Sequence, residues 1–413
     1  MKKILCILFL LASMLAFGSG EQENATLEIT FLGGSGGGGC VKNAVMTFVV
    51  EHPYVGVKYI AEKAPDGTPI SLDSLLAAGT PPDIYMGYIG RSGKVVDPNY
   101  ALPLDEALAD IDDFMPEVLA QVTKGGKLLA APFIAWAIGF EINTDITDRA
   151  GWQYPGPGWT TDDFMAMAQK VDVFPSAVFA ANPSGDYIAM SWFAAFGAKM
   201  FDGDYSRTTI NSEQGRATMR FLADLHKRGY IPAEAGQMID DDYIDMWINE
   251  EFAAGGAHPG WESIYRDRIK AGGKDHRNNY IFTGYPRAPG VTRVPVYLGY
   301  NAMVAHDSGD AIRNAALTGL IRYITLNSHQ ANVDENNSIS TRRSIGLPAD
   351  PKWQASAKLV ADNGVWDAGL CLTKFAKIRC QMPERLQAMF AGKESPDEAL
   401  AAYEAAVNTI LEE

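Results

Sequence analysis

Residues 33–40 read Gly-Gly-Ser-Gly-Gly-Gly-Gly-Cys. They follow an apolar run at 27–32 and precede an amphipathic segment at 41–51. A glycine loop between strand and helix aims backbone N–H groups at a ligand and favours negative charge there. Two chemistries use such a loop. Gly34, Gly36 and Gly39 have the G-x-G-x-x-G spacing, which lets backbone approach a pyrophosphate, and Glu62 stands about 20 residues on, where an acid bonds a ribose. That chemistry is hydride transfer with a nicotinamide cofactor. Gly33, Ser35 and Gly37 have the G-x-S-x-G spacing of a nucleophile elbow, in which Ser35 would attack an acyl carbon. The first reading needs a second mononucleotide-binding half, and none is found downstream. The second needs an acid and then a histidine around a larger sheet, and a glycine run matches its pattern almost automatically.

Metal chemistry has less support. Asp240, Asp241, Asp242 and Asp245 lack the EF-hand spacing and its glycine. They read as the acidic start of a helix, where the macrodipole favours carboxylates. The six His are scattered, without an H-x-x-x-H or H-E-x-x-H pair. No cofactor and no metal are expected. Of the four Cys, Cys6 lies in the N-terminal apolar run and Cys40 at the start of a helix. Cys371 and Cys380 are close enough in sequence to close a small disulfide loop or to stay as thiols.

The bulk numbers bound the rest. The 413 residues suffice for two domains with real cores. A net charge of −15 argues against a broad nucleic-acid surface, which needs clustered Lys and Arg. Lys2 and Lys3 precede an apolar run at 4–17 and the small residues Gly18, Ser19 and Gly20. That is the pattern of a secretory signal peptide over 1–20, with a retained anchor helix as the alternative. No Cys stands where a lipid anchor would attach, so the expectation is an exported, unanchored periplasmic or otherwise extracytoplasmic protein. Removing Lys2 and Lys3 takes the net charge from −15 to −17.

Some element must hold the glycine loop. From 27 to about 134 the pattern is β-α-β-α-β. Val41, Val45, Phe48 and Val49 recur at helical spacing, and Pro53 ends that helix. Val55, Val57 and Tyr59 alternate as a strand, and 83–88 is a third. This order implies right-handed crossovers and a mostly parallel sheet, with ligands beyond the C-terminal strand ends. From 140 to 280 helices dominate, capped by Thr160 or Thr161 and by Asn211 or Ser212. Strands return at 280–285 and 294–305, then a helix at 311–325, a polar loop at 334–340, and a last helix opened by Ser395 and Pro396.

Several stretches in one order resemble the family 1 extracellular solute-binding proteins of ABC importers, the group that includes maltose-binding protein. They are Phe48-x-x-Glu51-His52-Pro53 with Val55-x-Val57; Leu75-x-Ala77-x-Gly79-x-Pro81-x-Asp83-Ile84; Gly126-Lys127 with Ala131-Pro132-Phe133; Phe140-x-Ile142-Asn143-Thr144-Asp145; Trp159-Thr160-x-Asp162-Asp163-Phe164; and Asn211-Ser212-Glu213 with Gly229-Tyr230-Ile231-Pro232. Ile142 stands where the family has a second tyrosine, and 250–256 departs from its Gly-Lys-Ala-Ala-Met element.

The resemblance implies an α/β, two-lobed periplasmic-binding-protein fold of type II-like topology, with three crossing segments. The lobes would be 27–134 plus 285–327, and a more helical 137–282 plus 330–413, with hinges near 134–137, 282–286 and 325–331. It implies a monomer that captures a carbohydrate in the interlobe cleft and delivers it to the transmembrane subunits of an ABC permease, without enzymatic chemistry of its own. An acidic or phosphorylated solute is the alternative, which free N–H groups at the glycine loop would suit. The solute contacts expected are Ser35, Gly36 and Gly37 of that loop, Tyr85 after it, Trp136 at the first hinge, and Trp261 after an open 255–260 loop. Tyr300 and Asn301 on the last hinge-side strand, and Arg343 after the polar loop, complete the set. Core packing is the rival role for Trp136 and Trp261, and solvated surface the rival role for Arg343. Trp192 reads as core, Trp159 as the start of a helix, and Asp83 as a structural turn acid.

Overall fold

A computed structural model describes residues 26–33, 38–64, 66, 68–178, 180, 185–272 and 279–413. The signal-peptide reading at 1–20 and the loop residues Ser35, Gly36 and Gly37 lie outside them. The described chain forms two compact units. The first holds the residues up to Ile134, Tyr300–Glu335 and Ser340–Gly346; the second holds Ala135–Gly299, Asn336–Ile339 and Leu347–Glu413.

The first unit is built on β1 (Leu27–Gly33), β2 (Val55–Ile60) and β3 (Ile84–Tyr88), with β1 central and parallel to both. Ile29, Phe31 and Val55 are fully buried, as a two-faced parallel sheet requires. The helix Gly38–Glu51 buries Val41, Val45, Phe48 and Val49 at the expected spacing. Asp83 fastens this sheet. Its carboxylate accepts the Thr30 N–H at 2.7 Å, the Thr30 hydroxyl at 2.8 Å and Arg313 Nη1 at 2.8 Å. The structural role read for Asp83 is therefore what it performs. A hairpin of β4 (Thr123–Lys124) and β5 (Lys127–Leu128) turns on Gly125 and Gly126, whose φ values of 57° and 76° suit a two-residue turn of the primed kind.

The second unit takes most of β6 (Ala131–Asn143), which pairs antiparallel with β7 (Ala254–Ala257) and β8 (Tyr280–Thr283). Phe140 on β6 meets Trp192, Phe164 and Tyr285 edge-on, at centroid distances of 5.6, 6.3 and 4.9 Å. Edge-to-face aromatic packing of this kind makes the core both dense and specific. Helix starts follow the capping rules. Thr160 and Asp163 form a capping box for Thr161–Ala168, Ser212 caps Glu213–Lys227, and Ser395 with Glu398 boxes Pro396–Glu412. Gly229, at φ 70°, ends the second of these.

The strand β9 (Val296–Ala305) serves both units. Val296 and Tyr297 pair with β11 (Val365–Trp366), while Asn301–Ala305 run antiparallel to β3. A dinucleotide fold would continue the parallel order at that place, so the direction of β9 disfavours the hydride-transfer reading of Gly34, Gly36 and Gly39.

One expectation needs correction, and one open alternative is decided. Residues 334–340 are not a polar loop. The helix His329–Asn336 occupies the start, because His329, Asn332 and Val333 form a buried stripe at i, i+3 and i+4. The strand β10 (Ile339–Ser340) then lies beside β6. Of the two alternatives left for Cys371 and Cys380, the structure has the thiols, and Cys380 Sγ donates to the Ala376 carbonyl one helical turn back.

Candidate functional site

The second unit gathers an aromatic cluster around one histidine. Trp136, half-buried on β6, lies with its ring centroid 5.6 Å from that of His258, tilted by 30°. Trp261 lies 5.0 Å from the same imidazole. Tyr187, on the helix Gly185–Ala195, stands 6.1 Å from His258, 6.5 Å from Trp261 and 6.5 Å from Tyr297. Two of the sequence candidates, Trp136 and Trp261, are thus brought together with His258 between them.

Glycines make this arrangement possible. A Cβ added to Gly299 would stand 2.6 Å from Trp136 Nε1, so the indole lies flush on β9 only because that position has no side chain. On β7, a Cβ at Gly255 would meet the Tyr243 hydroxyl at 2.0 Å, and one at Gly256 the Tyr285 hydroxyl at 2.0 Å. Tyr243 donates its hydroxyl proton to the Gly256 carbonyl at 2.9 Å. Within the stretch 250–256, which departs from the family pattern, residues 254–256 therefore belong to a buried strand made thin for two tyrosines.

After β7 the chain turns through a short 3₁₀ helix, Pro259–Trp261, capped by His258. The Gly260 N–H donates to His258 Nδ1 at 3.1 Å. An imidazole nitrogen that accepts carries no proton, so the neutral ring keeps its proton on Nε2. Burial among the rings pushes the His258 pKa down to about 3. Nε2 has no hydrogen-bond partner among the described residues. The cluster thus combines apolar ring faces with neutral donors, His258 Nε2–H beside the indole and phenol groups of Trp136, Trp261 and Tyr187, a composition suited to a small-molecule site.

The remaining described candidates lie in the first unit. Tyr85 is 5% exposed and pairs with Leu32 on β1 and Val304 on β9. Its ring lies over Gly87, where a Cβ would stand 2.3 Å from the phenol oxygen. Burial raises its pKa to about 12, against the favourable charge of Arg91. Asn301 faces Tyr88 in the ladder, so strand alternation puts it on the opposite sheet face from Tyr300, its chain neighbour. Arg343 turns its guanidinium onto backbone carbonyls, with Nε to Asp113 O at 3.4 Å and Nη2 to Asp112 O at 3.2 Å. Its neighbour Arg342 pairs with the Asp113 carboxylate at 2.9 Å.

Sequence reasoning passed over Tyr187 and Tyr297, and treated His258 as part of a loop. A signal for His258 was present: a polar residue directly before Pro and Gly is a helix-start cap. Nothing local marks Tyr187, whose role depends on the packing of its helix against β7.

Residues 42–331 match the family of bacterial extracellular solute-binding proteins. A curated relative, an uncharacterised ABC transporter extracellular-binding protein of Pyrococcus horikoshii, is 24% identical over 225 residues, and the match spans about half of each chain, 50% of this one and 50% of that one. Among solved structures, a chitin oligosaccharide binding protein aligns with a TM-score of 0.79 at 17% identity, covering 94% of this chain and 100% of that one. A solute-binding protein of Thermotoga lettingae bound with α-D-tagatose aligns with a TM-score of 0.76 at 20% identity, covering 94% and 100%. The maltose-bound MalE3 of T. maritima aligns with a TM-score of 0.75 at 18% identity, covering 93% and 99%. At such identities the likeness shows the fold, which is the α/β fold of periplasmic binding proteins. With the family matched over residues 42–331, the chain belongs to the bacterial extracellular solute-binding proteins.

Proposed function

We propose that this protein captures a carbohydrate outside the cytoplasm and delivers it to an ABC permease. The observation that carries the reading is the placement of Trp136, Tyr187 and Trp261 around His258. Sugars present C–H faces that pack on aromatic rings and hydroxyls that need directed polar partners. The solved relatives that bind tagatose, chitin oligosaccharide and maltose support the same class. Trp136 and Trp261 are the principal solute contacts in this reading. Tyr85, Tyr300, Asn301, Arg343 and the loop residues Ser35, Gly36 and Gly37 enter as secondary ones. Export by a signal peptide over 1–20 belongs to the same proposal, with the energy of transport supplied by a partner ATPase.

The test is a thermal-shift and calorimetric screen of the purified protein against mono- and oligosaccharides, including maltose, chitobiose and tagatose. A ligand at 100 times its Kd should stabilise the fold by about 2.7 kcal/mol, a shift of several degrees. No shift with any sugar would overturn the carbohydrate reading.

A further inference from the structure

We propose that His258 is the specificity-determining donor of this site, giving one neutral N–H to a sugar hydroxyl or ring oxygen, so that the solute is an uncharged sugar and not a sugar acid or sugar phosphate. The inference rests on the carbohydrate reading and narrows it.

Geometry fixes the state of the imidazole. Nδ1 accepts the Gly260 N–H, which a doubly protonated ring could not do. A Cβ at Gly260 would stand 2.9 Å from Nδ1 and Cε1, so the ring lies close over that backbone and holds its orientation. Its other contacts are the rings of Trp136, Tyr187 and Trp261. Among the described residues, no carboxylate pairs with it to stabilise an imidazolium, and no Lys or Arg lies among these contacts to receive an anion. A neutral imidazole donor among the rings of Trp and Tyr is matched to a hydroxyl or ether oxygen; a carboxylate or phosphate placed there would lose its hydration without gaining a counter-charge.

The first unit argues the same way from a separate place. The N-terminus of the helix Gly38–Glu51, which follows the glycine loop, is where an anion would be held. That position is taken by this protein's own carboxylate. Glu335 Oε2 accepts the Cys40 N–H at 3.3 Å, and Oε1 stands 3.7 Å from where a Gly39 Cβ would be. A second negative charge there would meet Glu335 as well as the helix dipole. The net charge of −15 adds a general field against anions.

The test compares matched solutes and two variants of opposite defect. Glucose, maltose, glucuronate and glucose 6-phosphate are titrated by calorimetry into wild type, H258N and H258F. Asn is a natural cap and keeps an acceptor for Gly260 N–H, but withdraws the Nε2 donor. Phe keeps a ring between Trp136 and Trp261 and has no donor. Neutral sugars should bind wild type at least about 10-fold more tightly than their acidic counterparts, and both variants should lose about 10-fold for the neutral sugar. In ¹⁵N-histidine spectra, the Nε2–H tautomer should be present before ligand, and Nε2 should shift on binding. Unchanged affinity in both variants would overturn the role of His258 and leave the carbohydrate reading standing. Tighter binding of glucuronate or glucose 6-phosphate would overturn the neutral-solute inference alone. Binding of no sugar of any charge would remove the carbohydrate reading, and this inference with it.

Discussion

Trp136 lies against Gly299 so closely that a single added methyl would stand 2.6 Å from its Nε1. Something must then shift, and a rigid indole cannot bend away as a flexible chain end could. Overpacking of this kind costs about 1–3 kcal/mol when the neighbours stay in place. If the indole moves instead, stability is spared and the ring face is misplaced. G299A should therefore weaken sugar binding about 10-fold or more while lowering the melting temperature little. Calorimetry and thermal unfolding of the same sample check both halves. Intact affinity would show that the indole face is not a ligand platform.

Two tryptophans on the same unit should separate binding from stability. Trp192 is 1% exposed and meets Phe140, Phe164 and Tyr285 edge-on. W192A should cost about 3–5 kcal/mol in urea unfolding, because it opens a cavity in a closed aromatic core. Trp136 is only half-buried. W136A should cost much less stability and should abolish measurable sugar binding. The reverse ranking would return Trp136 to the core.

The contrast between these two residues shows where sequence is legible. Trp192 reads as core from its helical neighbours alone, and the caps are legible to within one residue at 160–161 and 211–212 and directly at Ser395, because each depends on residues within one turn. The parallel β-α-β-α-β order of the first unit is legible for the same reason. What is not legible is long-range. His258 becomes a site residue only when β6 brings Trp136 beside the 258–261 turn, a contact that joins residues more than a hundred positions apart. The helix end at Asn336 is hidden because Asn332 is buried against Cys40, whose sulfur accepts its Nδ2–H at 3.3 Å. A polar residue just before the expected loop is there a core contact.

Acid should destabilise the protein through two histidines. Burial pushes the pKa of His258 from 6.5 to about 3. His329 also falls to about 3, by burial first and then by the charge of Arg342, with Asp113 opposing. Both rings are neutral in the fold and protonate in the unfolded chain below about 6.5, so the unfolded state binds more protons in that window. Their stabilising effect is complete above about pH 6.5 and is lost as pH falls towards 3. Each contributes up to about 1.4 kcal/mol per pH unit within the window. Urea midpoints should fall from pH 7 to pH 4, and H329Q should flatten that fall. A flat profile in wild type would show that these rings titrate normally.

Glu335 offers the last test, because two measurable effects share one carboxylate. It accepts the Cys40 N–H at the start of the helix Gly38–Glu51, and it acts on the Cys40 thiol. Burial raises that thiol's pKa, the Asn332 hydrogen bond lowers it, and the charge of Glu335 raises it again. E335Q keeps an acceptor for the backbone but removes the charge. Stability should fall by about 0.3–1 kcal/mol through the lost interaction with the helix dipole. The pH profile of Cys40 alkylation in mild urea should move to lower pH, since a neutral neighbour no longer opposes the thiolate. Affinity for a neutral sugar should stay within about 2-fold, because no part of the proposed contact with His258 depends on this charge. If stability and the alkylation profile both stay where they were, Glu335 is not the anion held at this helix start. The position would then be open to a charged solute after all.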